Sequence, residues 1–258
     1  MPSVKNKKAW EEYFRLPSGR FGKEGASLQV SLSSVVKSKN ATLYLGDSQE
    51  ILRNFVDNSI DLVVTDPPYL IEYTSKHIEK DDYNRVYQGD SLSHLPKIRN
   101  ILWHCGRVMK RNTAIYCFSS SRHLDFFIGT LKLTPFRLKN IIVWDKGNWG
   151  GGDLRHSFGD ETEFAVYSSK GLCKIRGKRF PNLWRFMRIP PAKRVHPLQK
   201  PVDLLTRMIE SSSDLGDTVL DPFMGSGSVG EAALRTGRKF IGIEIDTKCF
   251  DMAKRRLL

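Results

Sequence analysis

Short apolar runs alternate along this chain with longer segments in which apolar residues recur every three or four positions. Seven runs, rich in Val, Ile, Leu or aromatic residues, have the length of buried parallel strands: Thr42–Leu45, Ile60–Thr65, Ala114–Phe118, Asn140–Trp144, Glu163–Tyr167, Thr218–Leu220 and Phe240–Ile245. Six segments have helical periodicity: Ser48–Phe55, Leu92–Met109, Arg122–Leu131, Pro201–Ser212, Val229–Arg235 and Thr247–Leu257. This alternation predicts an α/β fold in which helices cover both faces of a mostly parallel sheet.

The first forty residues differ from the rest because they are polar, basic and rich in Ser. We therefore predict a basic N-terminal extension over residues 1–40 and one domain over residues 41–258. No apolar stretch approaches the roughly 20 residues that span a bilayer, and no secretory signal is visible. The four cysteines are scattered and form no C-x-x-C pair. We expect no metal site, no membrane partner and a reducing, cytoplasmic compartment.

The formal net charge of +13 is concentrated in one part of the chain. Between Lys170 and Lys200 there are ten Lys and Arg residues and no Asp or Glu. Phe180, Trp184 and Phe186 are interleaved with these charges. A solvated surface loop would have the same composition, but clustered cations favour contact with the phosphates of a nucleic acid.

A glycine-rich loop follows the predicted strand Thr218–Leu220. Gly225, Gly227 and Gly230 match G-x-G-x-x-G, a turn that lets a nucleotide approach the backbone. Glu244 follows Gly225 by 19 residues, where an acid can bind the ribose hydroxyls of an adenosine cofactor. An NAD-binding domain is the obvious competitor, but only 28 residues remain after Gly230. The other strands must come from upstream, which predicts a circularly permuted sheet.

The second chemical signal is the tetrapeptide Asp66-Pro-Pro-Tyr69 at the end of a predicted strand. An exocyclic amino group on a base is a poor nucleophile because its lone pair is delocalised into the ring. Two acceptors for its hydrogens, the Asp66 carboxylate and the Pro67 carbonyl, would localise that lone pair and stabilise the developing positive charge. Tyr69 would receive the base once it has left the duplex stack. A rigid turn after a strand is the structural alternative.

Together these motifs resemble the beta class of bacterial and phage amino-methyltransferases, in which the catalytic motif precedes the cofactor motif. Asp66-Pro-Pro-Tyr69 is similar to the catalytic tetrapeptide of that family, and Asp221-Pro-Phe-Met-Gly-Ser-Gly227 to its cofactor loop. His196-Pro-Leu-Gln-Lys-Pro201 resembles a further element beside the cofactor, with Leu198 in place of the usual Thr. The other matching segments are Tyr44–Asp47, Trp144-Asp-Lys and Glu163–Lys170. The resemblance covers Thr42 to Leu258.

The resemblance implies a seven-stranded, circularly permuted Rossmann-like methyltransferase fold with S-adenosyl-L-methionine as cofactor. The catalytic residues expected from it are Asp66, Pro67, Pro68 and Tyr69. The expected cofactor-binding residues are Asp47, His196, Lys200, Asp221, Phe223, Gly225, Ser226, Gly227 and Glu244. We expect a short DNA-recognition segment at 169–195. The cations that we assign to DNA binding are Lys178, Arg179, Arg185, Arg188, Lys193 and Arg194.

The predicted function is methylation of N6 of adenine in double-stranded DNA after base flipping, within a bacterial or phage-infected cell. In this family an initial Asp in the tetrapeptide usually goes with adenine and an initial Ser with cytosine. N4 of cytosine is the alternative target atom, and RNA is an alternative substrate. A non-catalytic DNA-binding subunit would keep the fold without turnover. Association as a homodimer is left open.

Overall fold

A mixed sheet forms the centre of the computed structural model, which describes residues 34–69, 94–148, 156, 158–190 and 199–258. The described residues form nine strands: β1 Ser34–Lys37, β2 Ala41–Leu45, β3 Ile60–Thr65, β4 Met109–Ser119, β5 Arg137–Asp145, β6 Thr162–Lys170, β7 Leu183–Arg185, β8 Thr218–Asp221 and β9 Lys239–Glu244. Their spatial order is β1-β2-β9-β8-β3-β4-β6-β5-β7. Of the expected site residues, Lys193, Arg194 and His196 lie outside the described residues.

Five neighbouring strands of this order are parallel to one another: β2, β9, β8, β3 and β4. β6 is antiparallel to both β4 and β5, and β7 is parallel to β5. Apart from β1 and β6, every strand therefore has its carboxyl end at the same edge of the sheet. That edge is where ligands bind in open α/β folds.

All seven predicted strands are present, and two short edge strands add to the predicted number. β1 lies inside the predicted N-terminal extension and pairs antiparallel with β2. β7 lies inside the predicted recognition segment and pairs through Val143, Trp144 and Asp145 of β5. Both strands are short and largely unburied, so their apolar residues are too few to distinguish them in the sequence from a polar loop. The expected count of seven strands was therefore too low.

Helices cover both faces of the sheet, as predicted. Their bounds are α1 Ser48–Arg53, α2 Leu95–Val108, α3 Leu124–Lys132, α4 Val202–Ser212, α5 Ser228–Arg235 and α6 Thr247–Leu257. Buried side chains of α1, α2 and α3 form one apolar cluster, and those of α4, α5 and α6 form the other. None of the described helices is long and apolar enough to cross a bilayer.

The sheet has the predicted permuted order: β8, which precedes the glycine loop, comes near the end of the chain but lies inside the sheet, paired with β3 from more than half the chain upstream. Their carboxyl ends are joined by a buried hydrogen bond of 2.9 Å from Thr65 Oγ1 to Asp221 Oδ1. The tetrapeptide follows β3 and the glycine loop follows β8. Parallel pairing of these two strands therefore brings both sequence motifs to one place.

Candidate active site

Asp66 lies where β3 ends, and its two carboxylate oxygens have different surroundings. Oδ2 is 2.6 Å from the Nζ of Lys200. Oδ1 is buried and has no hydrogen-bond partner among the described residues. The following Pro67 is buried, while Pro68 and Tyr69 are half-buried. A buried acceptor without a donor is costly unless a ligand supplies one, so Oδ1 fits a donor such as an amino group.

Lys200 lies at the centre of a charged cluster. Its Nζ also donates to the Tyr69 hydroxyl at 2.9 Å and lies 3.2 Å from Oε2 of Glu163. Glu163 in turn accepts from Tyr69 at 3.2 Å and pairs with Lys146 at 3.5 Å. These residues meet because β5 ends next to Lys146 and the antiparallel β6 begins next to Glu163 at the same edge.

Burial and charge act against each other in this cluster. Burial raises the pKa of Asp66, and the Lys200 charge opposes that change. Burial also acts to raise the pKa of Glu163, but Lys200 and Lys146 outweigh it and hold that pKa below its usual value. For Lys200, burial acts to lower the pKa, and the charges of Asp66 and Glu163 outweigh it and raise that pKa. Lys200 therefore remains protonated beside two carboxylates.

The glycine loop leaves space on one side and packs tightly on the other. Gly225 has φ +53°, and a Cβ added there would meet nothing within 4 Å. Gly227 has φ +83°, and its Cβ would lie 3.3 Å from the backbone of Ala253 in α6. Only glycine adopts such angles readily. The open space at Gly225 fits a loop against which the expected nucleoside cofactor can lie, and Gly227 lets α6 approach.

Glu244 ends β9 beside this loop, and its carboxylate accepts three backbone hydrogen bonds. Oε2 accepts from Gly225 N at 2.7 Å, and Oε1 accepts from Ile245 N at 2.9 Å and Asp246 N at 2.8 Å. A carboxylate offers about four acceptor positions, so capacity for a further donor remains. Burial raises the pKa of Glu244, and the backbone donors oppose this effect.

The remaining expected cofactor residues have structural roles at the same edge. Asp47 caps α1 by accepting from Gln49 N at 2.9 Å, and it pairs with Lys97 at 2.8 Å. Asp221 accepts from Phe223 N at 3.0 Å, and burial raises its pKa to about 7. Ser226 is buried in the loop, where its carbonyl accepts from Arg256. The structure thus brings every described residue of the expected cofactor set except Lys200 to the ends of β2, β8 and β9.

The predicted recognition segment crosses the edge of the sheet next to β5. Arg185 pairs with Asp145 at 2.6 Å, whereas Lys178 and Arg179 are exposed and form no ion pair with a described carboxylate. Arg188 is half-buried, and its backbone N–H donates to the Lys146 carbonyl at 3.4 Å. The segment therefore reaches from an exposed basic surface to the charged cluster.

Two residues of the cluster were not expected in the site. Glu163 and Lys146 belong to the segments Glu163–Lys170 and Trp144-Asp-Lys, which carry the family resemblance. Lys146 follows the carboxyl end of a predicted apolar strand, a position typical of functional residues in α/β folds, whereas Glu163 stands at the start of one. That position was the available signal. The direction of β6, which brings Glu163 to this edge, could not be obtained from the sequence.

Comparison with known proteins reveals similar sequences along most of the chain. A protein-family model described as DNA methylase matches residues 168–255. The chain is 30% identical over 240 residues to the type II methyltransferase M2.MboI of Moraxella bovis, covering 84% of this chain and 88% of that protein. It is also 30% identical over 250 residues to the DNA adenine methyltransferase YhdJ of Escherichia coli (strain K12), covering 84% and 82%.

Solved structures share this fold. The crystal structure of the M1.HpyAVI–SAM complex superimposes with a TM-score of 0.65 at 26% identity, covering 84% of this chain and all of that chain. The PvuII DNA methyltransferase, described as cytosine-N4-specific, superimposes with a TM-score of 0.69 at 19% identity, covering 86% and 88%. The second likeness concerns the fold alone.

Proposed function

The chain belongs to the family of amino-group DNA methyltransferases, and we propose that it methylates N6 of adenine in double-stranded DNA. Its cofactor is S-adenosyl-L-methionine, which when bound supplies an electrophilic methyl group. The observation that carries the proposal is the buried Oδ1 of Asp66, which has no hydrogen-bond partner among the described residues and lies at the edge where the glycine loop also lies.

Asp66 and Pro67 are the residues that we propose to activate the amino nitrogen. Asp66 Oδ1 accepts one amino hydrogen and the Pro67 carbonyl accepts the other. These acceptors withdraw the lone pair from the ring and stabilise positive charge as it develops on nitrogen. Pro68 stiffens the loop, because its ring fixes φ and removes a backbone donor. Tyr69 receives the flipped base on its ring, while its hydroxyl is held by Lys200 and Glu163.

We assign cofactor binding to the ends of β2, β8 and β9. Gly225 and Gly227 give the loop its path, and Glu244 offers remaining acceptor capacity to hydroxyl groups of the cofactor. Asp47 follows the carboxyl end of β2, next to Glu244, since Leu45 and Glu244 are paired in register. The glycine loop is held by two further contacts: Asp221 accepts from Phe223 N, and the Ser226 carbonyl accepts from Arg256. His196 remains in the proposed set by its family motif.

The recognition segment supplies the proposed contacts with DNA. Lys178, Arg179, Arg185 and Arg188 lie along it, and Lys193 and Arg194 continue the same basic sequence. Phosphate contacts of this kind position a protein on DNA without specifying its sequence. Arg188 contacts the charged cluster through the Lys146 carbonyl, so DNA bound along the segment would present a flipped base to Asp66.

Adenine is favoured over cytosine by two observations. The tetrapeptide begins with Asp66, and the similar protein YhdJ is named a DNA adenine methyltransferase. N4 of cytosine is the second candidate, because the PvuII enzyme described as cytosine-N4-specific has the same fold. Both reactions use the same acceptors on an exocyclic amino group, so the product must be identified directly.

The test is transfer of labelled methyl groups from S-adenosyl-L-methionine to unmethylated duplex DNA, followed by nucleoside analysis. We expect N6-methyladenine from the native protein and at least a hundredfold slower transfer with Asp66→Ala, since one preorganised hydrogen-bonding group contributes on the order of 10²–10³. Cofactor affinity should change little, because Asp66 lies outside the cofactor loop. N4-methylcytosine as the product would replace adenine by cytosine, and near-native turnover of Asp66→Ala would remove Asp66 from the mechanism.

A further inference from the structure

The ammonium group of Lys200 has three hydrogens, and three protein oxygens surround it. These are Asp66 Oδ2 at 2.6 Å, the Tyr69 hydroxyl at 2.9 Å and Glu163 Oε2 at 3.2 Å. An ammonium group offers only three donors. No donor is left over for the cofactor, which was the expected partner of Lys200. The contacts therefore point to a different role.

Lys200 is also fixed in position. Only 9% of its side chain is exposed. Its Nζ lies 5.0 Å from the centre of the Phe118 ring and 5.1 Å from that of Tyr69, so two aromatic side chains enclose the charge. α4 begins two residues later at Val202, which ties the backbone of Lys200 to a packed helix. Such a group stays in place when a substrate arrives.

From these contacts we propose that Lys200 is a positioning residue for methyl transfer, which holds Asp66 as an ionised acceptor with Oδ1 free for the target amino group. The inference rests on the proposed methyl transfer to an amino group, whichever base carries it. A protonated Asp66 would present a donor where an acceptor is needed. Burial favours the protonated form, and the Lys200 charge counteracts this effect.

Other ionisable groups also face Asp66, and they determine whether its pKa rises or falls in each variant. Lys200 is the neighbour that lowers the pKa of Asp66 by its charge, whereas the negative charge of Glu163 raises it. Tyr69 lowers it by hydrogen bonding. Asp221 lies across the Thr65 bridge and interacts with Asp66 by repulsion. The remaining groups at this edge are Cys117 on β4 and Lys146, whose charge pairs with Glu163.

The experiment measures the single-turnover rate of methyl transfer against pH at saturating cofactor, with cofactor affinity measured by calorimetry. In Lys200→Met, the acid limb of the profile should shift to higher pH by about one to three units, because the pKa of Asp66 rises by that amount when one close positive charge is lost. In Glu163→Gln the acid limb should shift to lower pH, because the negative charge that raises the pKa of Asp66 is removed. Lys200→Arg keeps the charge and should keep the native acid limb at a reduced rate.

Lys110→Met is the matched control. Lys110 pairs with Asp61 at 2.6 Å near the start of β3, so this variant removes a lysine–carboxylate pair from the other end of the strand that precedes Asp66. Its acid limb should be native. If Lys200→Met does not fold, the Glu163→Gln and Lys200→Arg profiles decide the question.

The inference is overturned if the acid limb of the Lys200 and Glu163 variants stays native, or if Lys200→Met loses only cofactor affinity. That second result would return Lys200 to cofactor binding. An inactive native protein is a different result, because it would contradict the proposed function before Lys200 is tested.

Discussion

Three carboxylates lie at one sheet edge, with Asp221 buried and Asp66 and Glu244 half-buried, and they have different partners. Asp66 pairs with a lysine through one oxygen, and its other oxygen has no partner among the residues that the structure describes, while Asp221 accepts from Thr65 and Phe223 N. Within the described part of the chain, the hydrogen bonds that Glu244 accepts come from backbone N–H groups. Burial raises the pKa of each, because it penalises the charged form. The residue with the unpartnered oxygen is the one that the chemistry requires to meet a substrate.

Glu244 accepts a hydrogen bond from the glycine loop and is assigned to the cofactor, so its removal should lower both the stability of the protein and its affinity for the cofactor. We expect Glu244→Ala to weaken S-adenosyl-L-methionine binding by roughly ten- to a few hundredfold, the value of one or two hydrogen bonds to a charged acceptor. Gly225 N would also lose its acceptor, which should lower the melting temperature without cofactor. Calorimetry and thermal melting measure the two effects.

Glu50→Ala is the control for this prediction, since Glu50 lies on α1 with 45% of its side chain exposed and pairs with Arg53 at 3.0 Å. It should retain native cofactor affinity and nearly native stability, because exposed ion pairs contribute little. Unchanged affinity in Glu244→Ala would contradict the assignment of Glu244 to the cofactor.

At the scale of elements, α4 anchors the recognition segment to the domain. The guanidinium group of Arg207 on α4 lies over the rings of Phe180 and Phe186, at 4.5 and 4.4 Å from their centres, and 5.4 Å from that of Trp184. Arg176 adds an ion pair with Asp214 at 2.9 Å. The aromatic residues between the charges thus pack on a helix, which holds the cations of the segment in a fixed arrangement.

Neutralising exposed cations of this segment should weaken DNA binding for all sequences. We expect Lys178→Ala/Arg179→Ala to reduce the slope of log affinity against log salt by up to about 1.8, since each phosphate contact contributes about 0.9. Cofactor affinity should be native. Titrations of labelled duplex DNA at several salt concentrations measure the slope.

Lys254→Ala/Arg255→Ala removes the same charge from exposed positions in the last turn of α6 and is the matched control. The slope of the control should stay close to native. Equal slopes for both double variants would mean that Lys178 and Arg179 only solvate a loop.

The sequence predicted the long elements and the two motifs, because buried strands and amphipathic helices have strong periodicity. It could not predict β1 or β7, which are short and lie at the sheet edges. It also placed Lys200 with the cofactor, while the structure brings its ammonium to Asp66 and Glu163. Residues 134 and 37 positions away make those contacts, and only the order and direction of the strands bring them together.

At the scale of the whole molecule, circular permutation places the recognition segment close to the cofactor loop in the chain, with α4 and β8 as the described elements between them. Between Lys170 and Lys200, several cations already have protein partners. Lys170 donates to backbone carbonyls, Arg176 and Arg185 pair with aspartates, and Lys200 is enclosed in the cluster. Fewer charged side chains therefore remain for DNA than the composition suggests. The homodimer stays a prediction.

The last prediction concerns the target sequence, which we expect to be short or degenerate. Sequence is specified by side chains that reach base edges, each good contact being worth about 1–3 kcal/mol of discrimination. The recognition segment is short, and Lys178 and Arg179 are assigned to phosphate. Sequencing of methylated DNA from cells that express the protein, with Asp66→Ala as the control for background methylation, reads the target directly. A long motif in which every base is required would contradict this prediction, because the segment would then need many more base-reading side chains than it offers.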